Sequence, residues 1–194
     1  MNPQAFRIQE PYYLIIDLEA TCSENMSLFP RDEMEIIEIG AVMLATDALS
    51  IAGEFQTFVK PLLHSQLTPF CQQLTTITQD LVEAAPEFPE ALKAFQNWFE
   101  SFGTSRFCSW GDYDRNQFER DCHRHGLGYP FGSHLNLKWA CSEALGLSRR
   151  MGMVQALERL GLPLQGTLHR GIDDARNMAR MVQHIMEHDD VTQL

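Results

Sequence analysis

Tyr12-Tyr13-Leu14-Ile15-Ile16-Asp17-Leu18-Glu19-Ala20-Thr21 is the stretch on which the reading of this chain turns. Its apolar run, rich in Ile and Tyr, has the residue types of a buried strand, expected over 11–17, and two acids close it. Side chains alternate along extended backbone, so Asp17 and Glu19 point the same way while Leu18 points back into the protein. Two carboxylates then share one small space at the end of a sheet strand, where an uncompensated charge is costly. A divalent cation is the natural counter-ion, and oxygen-only ligands favour hard ions such as Mg2+ or Mn2+. Standing alone, the same pair of acids would read more simply as a loop or N-cap feature after a strand.

Two further segments carry acids in telling places. In His169-Arg170-Gly171-Ile172-Asp173-Asp174-Ala175-Arg176-Asn177, apolar residues begin a helical period that continues through Ala175, Met178, Ala179, Val182, Ile185 and Met186. The spacing predicts a helix over 172–187. Gly171 lets the chain bend before it, so His169 lies on the incoming loop and Asp174 in the first turn, where the helix dipole favours a carboxylate. In Ser109-Trp110-Gly111-Asp112-Tyr113-Asp114, a short strand over 106–110 turns into a helix over 114–125. Asp114 shares a face of that helix with Phe118 and Cys122, whereas Asp112 falls outside the stripe and reads as a turn residue or N-cap. Each segment has a plainer reading, as a capped surface helix with an incidental histidine and as a pair of capping acids.

Together, in this order, the segments resemble the DEDDh exonucleases, the DnaQ-like 3′–5′ exonucleases of the RNase H-like fold. Asp17 and Glu19 match the first motif of that family, Asp114 the second, and His169 with Asp174 the third, in which the histidine precedes the acid by five positions. The wording of 17–22, 35–42, 74–79 and 169–177 is similar to the Eri/KapD branch, which trims RNA 3′ ends. The resemblance spans about residues 10 to 188, and it departs from the pattern at Thr76, where a glycine is more usual before the Ile-Thr pair. It implies an α/β fold with a mixed central sheet flanked by helices. It also implies two Mg2+ or Mn2+ ions held by Asp17, Glu19, Asp114 and Asp174, with His169 as general base. Leu18, Ala20 and Thr21 are implied as contacts to the terminal sugar and base, with Ile77 as an apolar wall.

The rest of the chain is compatible with this reading. A length of 194 residues with 44% hydrophobic content suits one core, and a single exonuclease domain over 1–194 is expected. Further strands are expected at about 34–45, 54–60 and 134–136, and helices at about 71–83, 88–102, 137–146 and 152–160. Phe88, Leu92, Phe95, Trp98, Phe99 and Phe102 give the second of those helices an aromatic core stripe. No apolar signal core opens the chain and no run approaches the roughly 20 apolar residues of a membrane helix, so a cytoplasmic protein is expected. Cysteines 22, 71, 108, 122 and 141 form no CxxC pair and are expected as reduced thiols; Cys122-His123-Arg124-His125 lacks a second ligand pair for zinc. The tail 187–190 reads as solvated.

Charge narrows the partner. A net charge of −11 opposes binding of a long duplex, which calls for a basic surface. Arg115, Arg120, Arg124, Lys138, Arg149, Arg150 and Arg170 lie near the motif-bearing segments and suit guidance of a short single strand. The resemblance implies that the partner is nucleic acid with a free 3′ end, RNA favoured over DNA, and that the product is a nucleoside 5′-monophosphate. The competing readings are an RNase H-like endonuclease, which would not need His169 five positions before Asp174, and a silent interaction module, which intact acids disfavour.

Overall fold

A computed structural model describes residues 1–25 and 29–188. Asp189 and Asp190 of the expected solvated tail lie outside the described residues. Five strands make one mixed sheet: β1 (Tyr12–Ala20), β2 (Ile36–Ala45), β3 (Ile51–Phe58), β4 (Arg106–Ser109) and β5 (His134–Asn136), in the order β3-β2-β1-β4-β5. The first three pair antiparallel, and β4 and β5 add in parallel. The described residues also form seven helices, in chain order α1 (Pro69–Thr75), α2 (Gln79–Glu83), α3 (Phe88–Glu100), α4 (Tyr113–Arg124), α5 (Leu137–Ala144), α6 (Met153–Arg159) and α7 (Gly171–Glu187). Pro3–Phe6 and Arg31–Glu33 form single 3-10 turns.

The alternation of β1 sorts the core. Tyr13 and Ile15 face one side, where they pack with Val42 and Leu44 against α5, α6 and α7; Leu14, Ile16 and Leu18 face the other, with Ile39, Ala41 and Met43, against α3 and α4. The expected aromatic stripe of α3 fills this second face: Phe95 meets Phe55, Phe99 and Phe118 with ring centroids 5.1, 5.2 and 6.1 Å away. Among the described residues, no helix is long and apolar enough to cross a membrane.

Two differences from the sequence expectations matter at the site. Strand β1 runs on through Asp17 and Glu19 to Ala20, three residues beyond the expected end, because β2 keeps pairing with it: Asp17 lies opposite Gly40 and Glu19 opposite Glu38. The helix expected over 71–83 is two helices. Thr76 adopts φ +59° and caps α1 in the left-handed region, and Thr78 restarts α2 from extended backbone. A glycine takes that φ without a Cβ penalty, and Thr76 is strained in its place.

Candidate active site

Three segments of the chain meet where β1 stops. β1 delivers Asp17 and Glu19 on one side of the strand, and the first turn of α4 delivers Asp114, whose Oδ1 accepts a hydrogen bond from the Leu18 N–H at 3.1 Å. The third arrival is the start of α7. A Cβ built on Gly40 would lie 2.1 Å from the Gly171 carbonyl carbon, and one on Gly171 would lie 2.8 Å from the Asp17 carbonyl oxygen. The two glycines therefore let the α7 N-terminus press on the β1–β2 backbone beside Asp17. Glu38 fixes the approach from beneath: its buried carboxylate accepts from Arg170 Nε and from the Gly171 N–H, both at 3.1 Å, and from Gln56 Nε2 at 2.7 Å.

His169 sits on the turn into α7 with φ +60°, and its N–H donates to Asp174 Oδ2 at 3.0 Å. The turn thus aims an exposed imidazole and a buried carboxylate at one place. Ligand atoms of Glu19, His169 and Asp174 all lie within 4.8 Å of one another. Asp17, Glu19, Asp114, Asp174 and His169 line one cavity of about 460 Å³, together with Leu18 and Ala20. Its remaining walls are Trp110 and Tyr113 from the β4–α4 turn, Leu74 of α1, Cys22 and Met34 beyond β1, Leu168, and 152–155 at the head of α6.

The electrostatics of the metal-free site are strained. Burial first, then the neighbouring carboxylates, holds Glu19 up at about 9 and Asp17 well above the ordinary carboxylate range. Burial raises Asp114 to about 6 and Asp174 to about 7, partly offset by the backbone N–H groups of Leu18 and His169. Burial also lowers His169, favouring the neutral imidazole at neutral pH. Asp174 Oδ1 is buried with no hydrogen-bond partner among the described residues. An orphaned carboxylate oxygen among clustered acids with hard oxygen donors is what a divalent cation requires, so the residues present fit such an ion.

Not every expected contact arrives. Thr21 is buried with its hydroxyl accepting from the Glu35 N–H at 2.9 Å, and Ile77 is buried among Ile37, Leu67, Cys71 and Val82. Neither lines the cavity, which corrects their expected place against the sugar and base: the break after α1 turns Ile77 inward and leaves Leu74 at the wall. Two of the expected guiding arginines are committed internally, Arg124 to Asp121 and the Met34 carbonyl, Arg170 to Glu38. Trp110 and Tyr113 flank a motif acid and were within reach of the sequence reading. Residues 152–155 come to the site only through the packing of α6, and no local pattern marks them.

The comparisons agree with this geometry. The family model described as Exonuclease (RNase_T) matches residues 14–182, and the chain belongs to that exonuclease family. It is 36% identical over 186 residues to "3'-5' exoribonuclease 1" of Rattus norvegicus, covering 91% of this chain and 53% of that protein. It is 34% identical over 181 residues to "ERI1 exoribonuclease 3" of Mus musculus, covering 89% and 52%. The chain thus spans about half the length of these relatives. Among solved structures, the nuclease domain of 3'hExo, a DEDDh family member bound to rAMP, superposes with a TM-score of 0.86 at 33% identity, covering 93% of this chain and 94% of that one. The fold is RNase H-like and the chain is of the DEDDh, Eri-like type. That family is divalent-metal dependent, and the acidic cavity is this chain's possible metal site.

Proposed function

We propose that this chain is a 3′–5′ exonuclease that removes nucleoside 5′-monophosphates from the 3′ end of single-stranded or short-overhang nucleic acid, RNA favoured over DNA. The observation that carries the reading is the convergence of four carboxylates and His169 on one cavity about the size of a nucleotide, with an unsatisfied oxygen of Asp174 inside it. The Eri-like relatives are named exoribonucleases, and the similar nuclease domain is bound to rAMP, which supports RNA.

Asp17, Glu19, Asp114 and Asp174 would hold two Mg2+ or Mn2+ ions, which supply positive charge for the attacking and leaving oxygens of an in-line displacement. His169, neutral at pH 7 and open to solvent, accepts a proton from the attacking water, whose oxygen bonds to phosphorus as the bond to the 3′ oxygen of the preceding nucleotide breaks. The leaving 3′ oxygen takes a proton from solvent, so the shortened strand departs with a 3′ hydroxyl, and the released nucleotide keeps its 5′ phosphate. Asp174 positions the histidine through its bond to the His169 N–H. Leu18 and Ala20, which line the cavity, would contact the terminal sugar and base, with Trp110 and Leu74 as the apolar walls in place of Ile77.

The test is a 5′-labelled RNA oligonucleotide and its DNA counterpart, incubated with Mn2+ or with EDTA. A descending ladder in Mn2+ alone, faster on RNA, is expected. Prompt release of the labelled terminal mononucleotide would show attack from the 5′ end and overturn the reading.

A further inference from the structure

A cavity of about 460 Å³ has room for one nucleotide, so a strand being shortened must leave it across one rim, and the rims differ in charge. Just before Met34 the chain exposes Asp32 and Glu33. Lys138 and Trp139 come from the first turn of α5 and Arg150 from the segment before α6, all three just outside the cavity lining. Lys138 lies against the β4–α4 turn, its Cδ 3.9 Å from where a Gly111 Cβ would stand, and Trp110 and Tyr113 of the same turn line the cavity. Arg150 is two residues from Gly152, which lines it too.

Trp139 is 50% exposed, the most exposed aromatic side chain among the described residues. Its backbone is fixed by the N-cap of α5, Asn136 Oδ1 accepting the Trp139 N–H at 3.1 Å. The Arg150 guanidinium carbon lies 3.8 Å above the indole centroid. Among the described residues no carboxylate pairs with Arg150 or Lys138, although the chain carries 26 acids against 15 Lys and Arg, and Arg106, Arg115, Arg124, Arg170 and Arg176 all have carboxylate partners. A preorganised pair of flat faces, one cationic, with a free ammonium beside it and in an otherwise acidic molecule, matches a base with its phosphate.

We propose that Trp139 and Arg150 form a stacking platform for the base of the nucleotide upstream of the terminal one, with Lys138 receiving its phosphate. This subsite rests on the nuclease reading and extends it: it gives the enzyme a preference for single strands, whose bases are free to stack, over the ends of a paired duplex.

Equilibrium binding of a labelled octaribonucleotide, read by fluorescence anisotropy with Ca2+ replacing Mn2+, tests the platform without relying on turnover. Trp139→Ala and Arg150→Ala should each weaken binding by about tenfold, within the range of base–aromatic stacking, and Trp139→Phe should stay within about threefold of wild type. Lys138→Ala, which removes the phosphate contact, should lower the slope of log Kd against log salt by about 0.7. Trp139 is half exposed, so unchanged thermal unfolding is expected in its variants. Wild-type affinity in both alanine variants, or no binding by the wild type, would overturn the platform. RNA laddering by the wild type with unchanged binding in the variants would remove the platform and leave the nuclease; platform-dependent binding with no laddering would do the reverse.

Discussion

Gly40 and Gly171 meet backbone to backbone, so closely that a Cβ on Gly40 would lie 2.1 Å from both the Gly171 carbonyl carbon and the Ile172 nitrogen. That contact seats the start of α7, and with it His169 and Asp174, beside Asp17. Gly40→Ala should therefore push α7 off the sheet. Overpacking against rigid backbone costs about 1–3 kcal/mol or more, and a displacement of the motif by an ångström removes the site geometry. A lower urea midpoint together with loss of nuclease activity is expected; wild-type values for both would show that the contact is dispensable.

The acids should make the metal-free protein sensitive to pH. Glu19 at about 9, Asp174 at about 7 and Asp114 at about 6 all lie above the roughly 4 of an unfolded carboxyl. The folded state then holds more protons than the unfolded state between these values, so the stabilising contribution is complete below about pH 4 and is lost as pH rises through about 6 to 9. Thermal unfolding in EDTA should fall across that window, and excess Mn2+ should restore it at the alkaline end. A melting temperature in EDTA that rises between pH 6 and 9 would contradict the clustering.

Asp17→Ala and Glu19→Ala are expected to abolish turnover while leaving the fold intact, with metal-free stability equal to or above wild type because carboxylate repulsion is relieved. Activity in Mn2+ beside thermal unfolding in EDTA checks both halves. More than a few per cent of wild-type rate in either variant would remove that acid from the site.

Asp114 and Asp112 should behave differently. Asp114 is buried, bound to the Leu18 N–H and inside the cavity, whereas Asp112 is half exposed at the head of α4 near Arg115, 3.5 Å away. Asp114→Asn should be inactive and Asp112→Asn should keep most of the rate; the opposite ranking in a steady-state assay would move the third acid.

His169→Ala should lower the rate by roughly 10²–10⁴ with little change in metal affinity, and higher pH should recover part of the loss by supplying hydroxide. A parallel collapse of Mn2+ affinity, followed by titration calorimetry, would make the imidazole a ligand and not a base.

Much of the site was legible because its information is local. The strand period set Asp17 and Glu19 side by side, the helical stripe separated Asp114 from Asp112, and Gly171 marked the turn between His169 and Asp174. What the sequence hid depends on tertiary pairing. β2 prolongs β1 past the acids, a matter of partner and not of propensity. Thr76 breaks a helix in a conformation that its own side chain disfavours, and so it turned Ile77 into the core. Residues 152–155 reach the cavity because α6 packs on α7, and nothing in Gly152-Met153-Val154-Gln155 announces it.

The central claim is hydrolysis from a free 3′ end, and one comparison tests it most directly. A linear single-stranded RNA and the same RNA closed into a covalent circle are incubated with the protein and Mn2+, and the products are separated by chromatography. The linear strand should be consumed to nucleoside 5′-monophosphates while the circle survives. Cleavage of the circle at a rate near that of the linear strand would contradict the account and mark an endonuclease built on the same acids.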